Sequence, residues 1–203
     1  LAALSDGECN LDGVLFSDDS RAFLDCLEKL GFQLFIDENE KRVKVVGTSG
    51  EIPNRKATID VRSAGTAARF LTVMLAVTGG EYTLNSSEQM KKRPMGEIID
   101  LIRSAGVKIS CLEEEGHFPF IISSNGLDKK EVSINTDTSS QYASALLMAA
   151  VMTGLKIKLT GKRVNGAYIK ITLNMLKQFG IKYVQAEENK YNIEKQSCQI
   201  ETW

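Results

Sequence analysis

Residues 63–80 read SAGTAARFLTVMLAVTGG. Small polar residues (Ser63, Gly65, Thr66) lead into a run that is apolar on nearly every side. That pattern predicts a helix buried all round, whose first turn carries no bulky side chain. The first turn of a helix presents unpaired backbone N–H groups at the positive end of the helix dipole. A Gly-rich approach leaves room for an anion to reach them. The same writing returns 74 to 75 residues later, where Thr138, Ser139, Ser140 and Gln141 precede YASALLMAAVMTG. Two such helix starts in one chain imply a shared anionic ligand.

Outward from that stretch, the chain repeats itself. Gly31, Gly106 and Gly180 stand 75 and 74 residues apart, and each ends an amphipathic run. The triplets Leu24/Ile99/Leu173, Leu27/Ile102/Leu176 and Leu30/Ala105/Phe179 keep both offsets. A strand pattern follows each glycine, then a polar turn and a second strand (VKVVG, FPFIIS, YNIEK), which reads as a hairpin. Upstream, Gly7, Gly80 and Gly154 close the buried kind of helix at spacings of 73 and 74, and short strands follow them (ECNL, EYTL, LKIKL). A further strand precedes the second and third buried helices (ATIDV, EVSIN). The unit is therefore strand, buried helix, strand, amphipathic helix, strand, strand, occurring three times with the first copy lacking its opening strand. Glycines at helix C-termini recur by chance, but chance does not hold nine apolar positions to the same offsets. The fold class expected is mixed α/β, with helices inside and sheets outside. One domain over residues 1–203 is expected, with repeats at about 1–56, 57–130 and 131–203.

The totals fit an ordinary globular chain. Its 203 residues suffice for a sizeable core, and 25 basic against 26 acidic residues leave a net charge of −1. No global field then favours nucleic acid or a membrane surface, and no apolar run has the ~20 residues of a membrane-spanning helix. Cys9, Cys26, Cys111 and Cys198 lie far apart, with no CxxC and a single His. That speaks for reduced thiols in a cytoplasmic protein and against a zinc site or disulfide framework. Leu1 already lies inside a helical pattern, so the chain is expected to be a piece of something longer.

Arg93 is the sharpest candidate for chemistry. In MKKRPMGEII (residues 90–99), Pro94 suits the first turn of an amphipathic helix. Lys91, Lys92 and Arg93 would then crowd the positive end of that helix, the wrong end for cations, and a bound anion would repair the conflict. A solvated basic turn explains the same residues at little cost. Ser139, Ser140 and Gln141 supply hydroxyls and an amide where one Ser alone would read as a cap. Arg69 falls within an apolar helix, as an internal ion-pair anchor or as a reach into the site, the anchor being favoured. Tyr168 opens the third amphipathic helix as a ligand contact or a half-buried aromatic. His117 reads as structural, and no cysteine has a base nearby in sequence.

SAGTAARFL, KKRPMGEIIDLI, SSQYASALLM and AYIKITLNMLKQFG together resemble the 5-enolpyruvylshikimate-3-phosphate synthase family. The resemblance runs along the whole chain but covers about half the family's usual length. It corresponds to the first-half globular domain, an inside-out α/β barrel of three βαβαββ repeats. The family transfers the enolpyruvyl group of phosphoenolpyruvate to the 5-hydroxyl of shikimate 3-phosphate and releases phosphate, with no metal or organic cofactor. The resemblance implies that Gly65, Thr66, Arg93 and Gln141 meet phosphoenolpyruvate. It implies that Ser139, Ser140, Gln141 and Tyr168 meet shikimate 3-phosphate. Asn165 stands where the family often has a Ser-containing stretch, and becomes a candidate phosphate contact. Ser63 replaces the Asn of the family's N-A-G-T turn.

The family takes its acid and base, with further Lys and Arg ligands, from a second domain of the same parent chain, and its Lys-Ser…Arg cluster from just before the present Leu1. The chain alone is therefore expected to fold without turning over, with no catalytic residue of its own. Two other readings compete. The related transferase acting on UDP-N-acetylglucosamine carries a reactive Cys in a Gly-rich loop, but residues 86–92 contain neither Cys nor Gly. A non-catalytic module binding a phosphorylated metabolite is the other.

Overall fold

The computed structural model of the chain describes residues 1–198; the end of the third repeat, residues 199–203, lies outside the described residues. A short 3-10 turn, Ala2–Leu4, is followed by β1 (Glu8–Asp12), α1 (Asp18–Lys29), β2 (Gln33–Asp37) and β3 (Arg42–Val46). Next come β4 (Lys56–Asp60), α2 (Gly65–Thr78), β5 (Gly80–Asn85), α3 (Glu88–Lys91), α4 (Gly96–Ser104), β6 (Lys108–Cys111) and β7 (Phe120–Ser124). The last stretch holds β8 (Glu131–Asn135), α5 (Ser140–Thr153), β9 (Leu155–Thr160), α6 (Ala167–Gln178), β10 (Val184–Glu187) and β11 (Lys190–Ile193).

Each stretch makes its own sheet, in orders β1-β3-β2, β4-β5-β7-β6 and β8-β9-β11-β10. In the second and third sheets the opening strand pairs parallel to the strand after the buried helix. Both do so in one register: Lys56 sits opposite Glu81 and Glu131 opposite Lys156, an offset of 25 in each. The remaining pairs are antiparallel. The first sheet is the same arrangement without its parallel strand, as the repeat predicts.

The three amphipathic helices close alike. Gly31, Gly106 and Gly180 adopt positive φ, and the N–H of the next residue (Phe32, Val107, Ile181) donates to the carbonyl five back, at 3.1, 3.3 and 2.9 Å. This is the 6→1 bond of a Schellman ending, and it turns the chain into the following hairpin.

The buried helices α2 and α5 pack on each other, α2 also on β5, β7 and α1, and α5 on β8, β9, β11 and α6. Leu71, Leu75 and Ala76 of α2, with Leu146, Leu147 and Ala150 of α5, are wholly inside. Strands alternate, as in β9, where Leu155, Ile157 and Leu159 are buried while Lys156 and Lys158 face water. Burying an Ile or Leu side chain contributes ~1.5–3 kcal/mol, so the face of each sheet turned toward its helix holds the layers together.

One expectation needs correction. Pro94 does not lie in the first turn of α4, which begins at Gly96 after Met95 as N-cap. A four-residue helix, α3, intervenes, and the Ser87 hydroxyl caps it by accepting from Met90 N–H at 3.2 Å. Lys91 and Lys92 therefore sit at the negative end of α3, where cations are favoured.

A candidate anion-binding site at two helix starts

Gly65 and Thr66 form the first turn of α2, and Ser140 and Gln141 the first turn of α5. The repeat places these turns in equivalent positions, and helix packing brings them together. The Gln141 Nε2 amide donates to the Thr66 hydroxyl at 2.9 Å, bridging residues 75 apart in sequence. Ser139 is the N-cap of α5, its hydroxyl accepting from Gln141 N–H at 3.3 Å. Ala64 caps α2 without a side-chain hydrogen bond. The orphan N–H groups of that turn are thus left for another acceptor.

Two guanidinium groups converge on Gly65. A Cβ added there would lie 2.8 Å from Arg93 Nη1 and 3.0 Å from Arg69 Nη1. The backbone here is unstrained, so a side chain at this point would press only on the two guanidinium ends. Arg93 is exposed and, among the described residues, has no carboxylate partner. Lys91 is spoken for: Glu88 and Glu113 each lie 2.9 Å from its ammonium, and first Glu88, then Glu113, hold it above the usual lysine range. Of the three cations in residues 91–93, Arg93 is the one aimed at the helix start.

Arg69 does not form the ion pair favoured for it. It is 9% exposed. Its Nη1 donates to the Gly65 carbonyl at 2.9 Å, and its guanidinium carbon stands 5.5 Å from the centre of the Tyr142 ring. Its Nε is buried without a partner among the described residues. Tyr142 was not singled out by the sequence. Its hydroxyl donates to the Pro94 carbonyl at 2.9 Å, fastening α5 to the segment that carries Arg93. Burial pushes the Tyr142 phenol up, with the Arg69 charge opposing, so the hydroxyl keeps its proton for that bond. A signal for both residues exists in the repeat: Tyr142 stands where α2 has Ala67, and Arg69 stands where α5 has Ser144. The two helix starts differ from each other at these two places.

The other candidates fall outside this cluster. Tyr168 is 65% exposed in the first turn of α6, and its hydroxyl makes no hydrogen bond among the described residues. Asn165, in the loop before α6, donates to the Glu188 carboxylate in the turn of the last hairpin. Ser140 is half-buried at the α5 start. On the α1 side of Thr66, a cleft of about 400 Å³ lined by Leu11, Val14, Leu15, Phe23 and Ala67 offers an anion almost nothing. The anion-competent side is that of the two arginines. Among the described residues no three His, Cys, Asp or Glu side chains are grouped to hold a metal, and no helix is long and apolar enough to cross a membrane.

Two helix starts, an amide bridge and two guanidiniums without a carboxylate gather positive potential and hydrogen-bond donors at one place. A family model, EPSP synthase (3-phosphoshikimate 1-carboxyvinyltransferase), matches residues 1–200, and the chain belongs to that family. The chain is 41% identical over 189 residues to the 3-phosphoshikimate 1-carboxyvinyltransferase of Neisseria meningitidis serogroup B, covering 91% of this chain and 43% of that protein. With the enzyme of the same name from Trichormus variabilis the identity is 33% over 195 residues, covering 95% and 46%. The chain thus spans about half the length of the curated relatives it matches. The solved EPSP synthase from Acinetobacter baumannii superposes with a TM-score of 0.81 at 21% identity, over 98% of this chain and 44% of that one. The enolpyruvyl transferase NikO from Streptomyces tendae superposes at 0.62 with 13% identity, over 97% of this chain and 44% of that one. These two share the fold.

Proposed function

We propose that this chain is the substrate-holding first half of a transferase that joins the enolpyruvyl group of phosphoenolpyruvate to shikimate 3-phosphate and releases phosphate. The carrying observation is the meeting of Gly65, Thr66, Arg93 and Gln141 at the joined starts of α2 and α5. Family membership and the names of the relatives point the same way.

In this reading the phosphate and carboxylate of phosphoenolpyruvate lie against the α2 start. Backbone N–H groups of the first turn and the Arg93 fork balance its charge, as charge-assisted hydrogen bonds do best. Ser139, Ser140 and Gln141 hold shikimate 3-phosphate at the α5 start, with Gln141 reaching both ligands, and Tyr168 and Asn165 close that side. Holding two polyanions with reacting atoms in contact is itself a large catalytic contribution, because it removes the entropy of encounter. Acid and base groups come from a second domain of the same parent chain, whose surface also excludes water. Residues 1–203 then act as one domain of three repeats (1–56, 57–130, 131–203), in the cytoplasm.

Titration of the chain with shikimate 3-phosphate and with UDP-N-acetylglucosamine, followed by amide chemical shifts, tests this. Saturable shifts at Ser139, Ser140 and Gln141 with the first and none with the second are expected. Indifference to both, or preference for the sugar nucleotide, overturns the reading. Product formation by the chain alone would overturn the assignment of acid and base to the second domain.

A further inference from the structure

We propose that Arg69 and Tyr142 form a positioning strut beneath the anion cradle, a buried guanidinium held between the Gly65 carbonyl and the Tyr142 ring that orders both helix starts and the Arg93 segment. This rests on the reading of that cradle as an anion site.

A cation sealed from water is expensive unless a carboxylate and a full set of hydrogen bonds compensate it. Arg69 has neither: its partners are one carbonyl and one aromatic face, and Nε goes without. Glu97, whose charge reaches Tyr142, already has its Oε1 taken by the Asn135 N–H at 3.2 Å. A Met side chain would fill the same space in an otherwise apolar helix without these penalties. Stability alone does not explain an arginine here, and residues held at such a cost cluster where function needs them.

The geometry says what the arginine does. Arg69 Nη1 and Arg93 Nη1 lie 3.0 and 2.8 Å from where a Gly65 Cβ would stand, the first on a buried side chain and the second on an exposed one. Two like charges with no counter-ion repel, and an anion between or above them removes that repulsion while taking the attraction of both. The rest is mechanical. The Arg69–Gly65 bond fixes the α2 start, the ring stacking fixes Tyr142, and the Tyr142 hydroxyl holds Pro94, the residue next to Arg93. Arg69 thus acts through its neighbours and through its field.

The test uses inorganic phosphate as probe, with R69M, R69K and Y142F measured beside the natural chain by amide-shift titration and thermal unfolding. R69M is expected to melt at the natural temperature or above it while binding phosphate about tenfold more weakly, the size of one charge interaction at partial screening. R69K keeps the charge and is expected to recover most of that loss, a rescue that a packing role does not produce. Y142F is expected to weaken phosphate several-fold while lowering the melting temperature by no more than the few degrees that one lost hydrogen bond brings. Should R69M fail to fold, R69K and Y142F decide the matter alone. Phosphate binding unchanged in R69M, or R69K as weak as R69M, overturns the proposal. Phosphate binding by the natural chain without binding of shikimate 3-phosphate sinks the substrate assignment and leaves the strut standing, so the two failures are distinguishable.

Discussion

Replacing Gly65 by Ala inserts one methyl group into the space shared by two guanidiniums. The new Cβ would stand 2.8 Å from Arg93 Nη1 and 3.0 Å from Arg69 Nη1, both closer than such contacts settle. Arg69 is buried and pinned to the Gly65 carbonyl, whereas Arg93 is exposed. The displacement therefore falls on Arg93. A charge-assisted hydrogen bond contributes ~1.5–3 kcal/mol, so moving the fork off an anion lowers affinity by roughly 10- to 100-fold. Stability moves the other way or not at all, because Ala is favoured over Gly in a helix by ~0.5–1 kcal/mol and the backbone here is already helical. The assay is calorimetric or amide-shift titration with inorganic phosphate and phosphoenolpyruvate, beside urea unfolding. Unchanged affinity for both in a fully folded G65A chain would refute the reasoning, and a large loss of stability would show that the guanidiniums cannot give way.

Thr66→Val removes the acceptor of the Gln141 amide, and a loss of ~0.5–1.5 kcal/mol is expected. That lowers the melting temperature by a few degrees, and Gln141→Ala should add little on top of it if the bond is the shared term. Gly80→Ala is expected to be far worse: φ is +133° and the added Cβ would lie 2.6 Å from the Arg55 carbonyl, so strain and overpacking together cost roughly 2–5 kcal/mol in urea unfolding. Burial pushes the Cys26 and Cys198 thiols up to about 11, so the folded chain keeps protons that the unfolded chain gives up. That contribution is fully present below the ordinary thiol pKa of about 8.5 and disappears as pH climbs through the folded values. Urea midpoints should accordingly fall across that alkaline window, and at pH 8 a thiol reagent should label the half-buried Cys111 well before the three buried cysteines.

The periodicities gave away most of the architecture because each rests on a strong local rule. Buried helices show as apolar runs between Gly and small polar residues, and hairpins show as alternation around charged turns. A repeat multiplies every such signal, so even the absence of the first opening strand was legible. The short helix α3 was not: four residues carrying Glu, Gln, Met and Lys have no period to read, and only the Ser87 cap hints at them. Missing α3 misplaced Pro94 and assigned Lys91 to the wrong helix end. Arg69 was seen as anomalous, but its partners were hidden, since a backbone carbonyl and an aromatic face leave no charge pattern in sequence. The Thr66–Gln141 bridge became readable only through the repeat, which says that two turns 75 residues apart are equivalent. Tyr168 and Asn165 rest on resemblance, and no contact of theirs in the structure ties them to the arginines.

The β1-β3-β2 sheet lacks the parallel strand that its two counterparts possess, so the outer flank of β1 is a row of backbone donors and acceptors without a protein mate among the described residues. In the other sheets the equivalent strand is interior. Such a seam invites another polypeptide to zip onto it. The Glu8 and Asp12 carboxylates, tied to Lys44 and Arg42 across the pair, screen it only in part. Handled separately, the chain should thus be open to concentration-dependent association along this border. A tethered extended peptide laid there is the simplest way to turn the three-strand sheet into a fourth-strand match of its siblings.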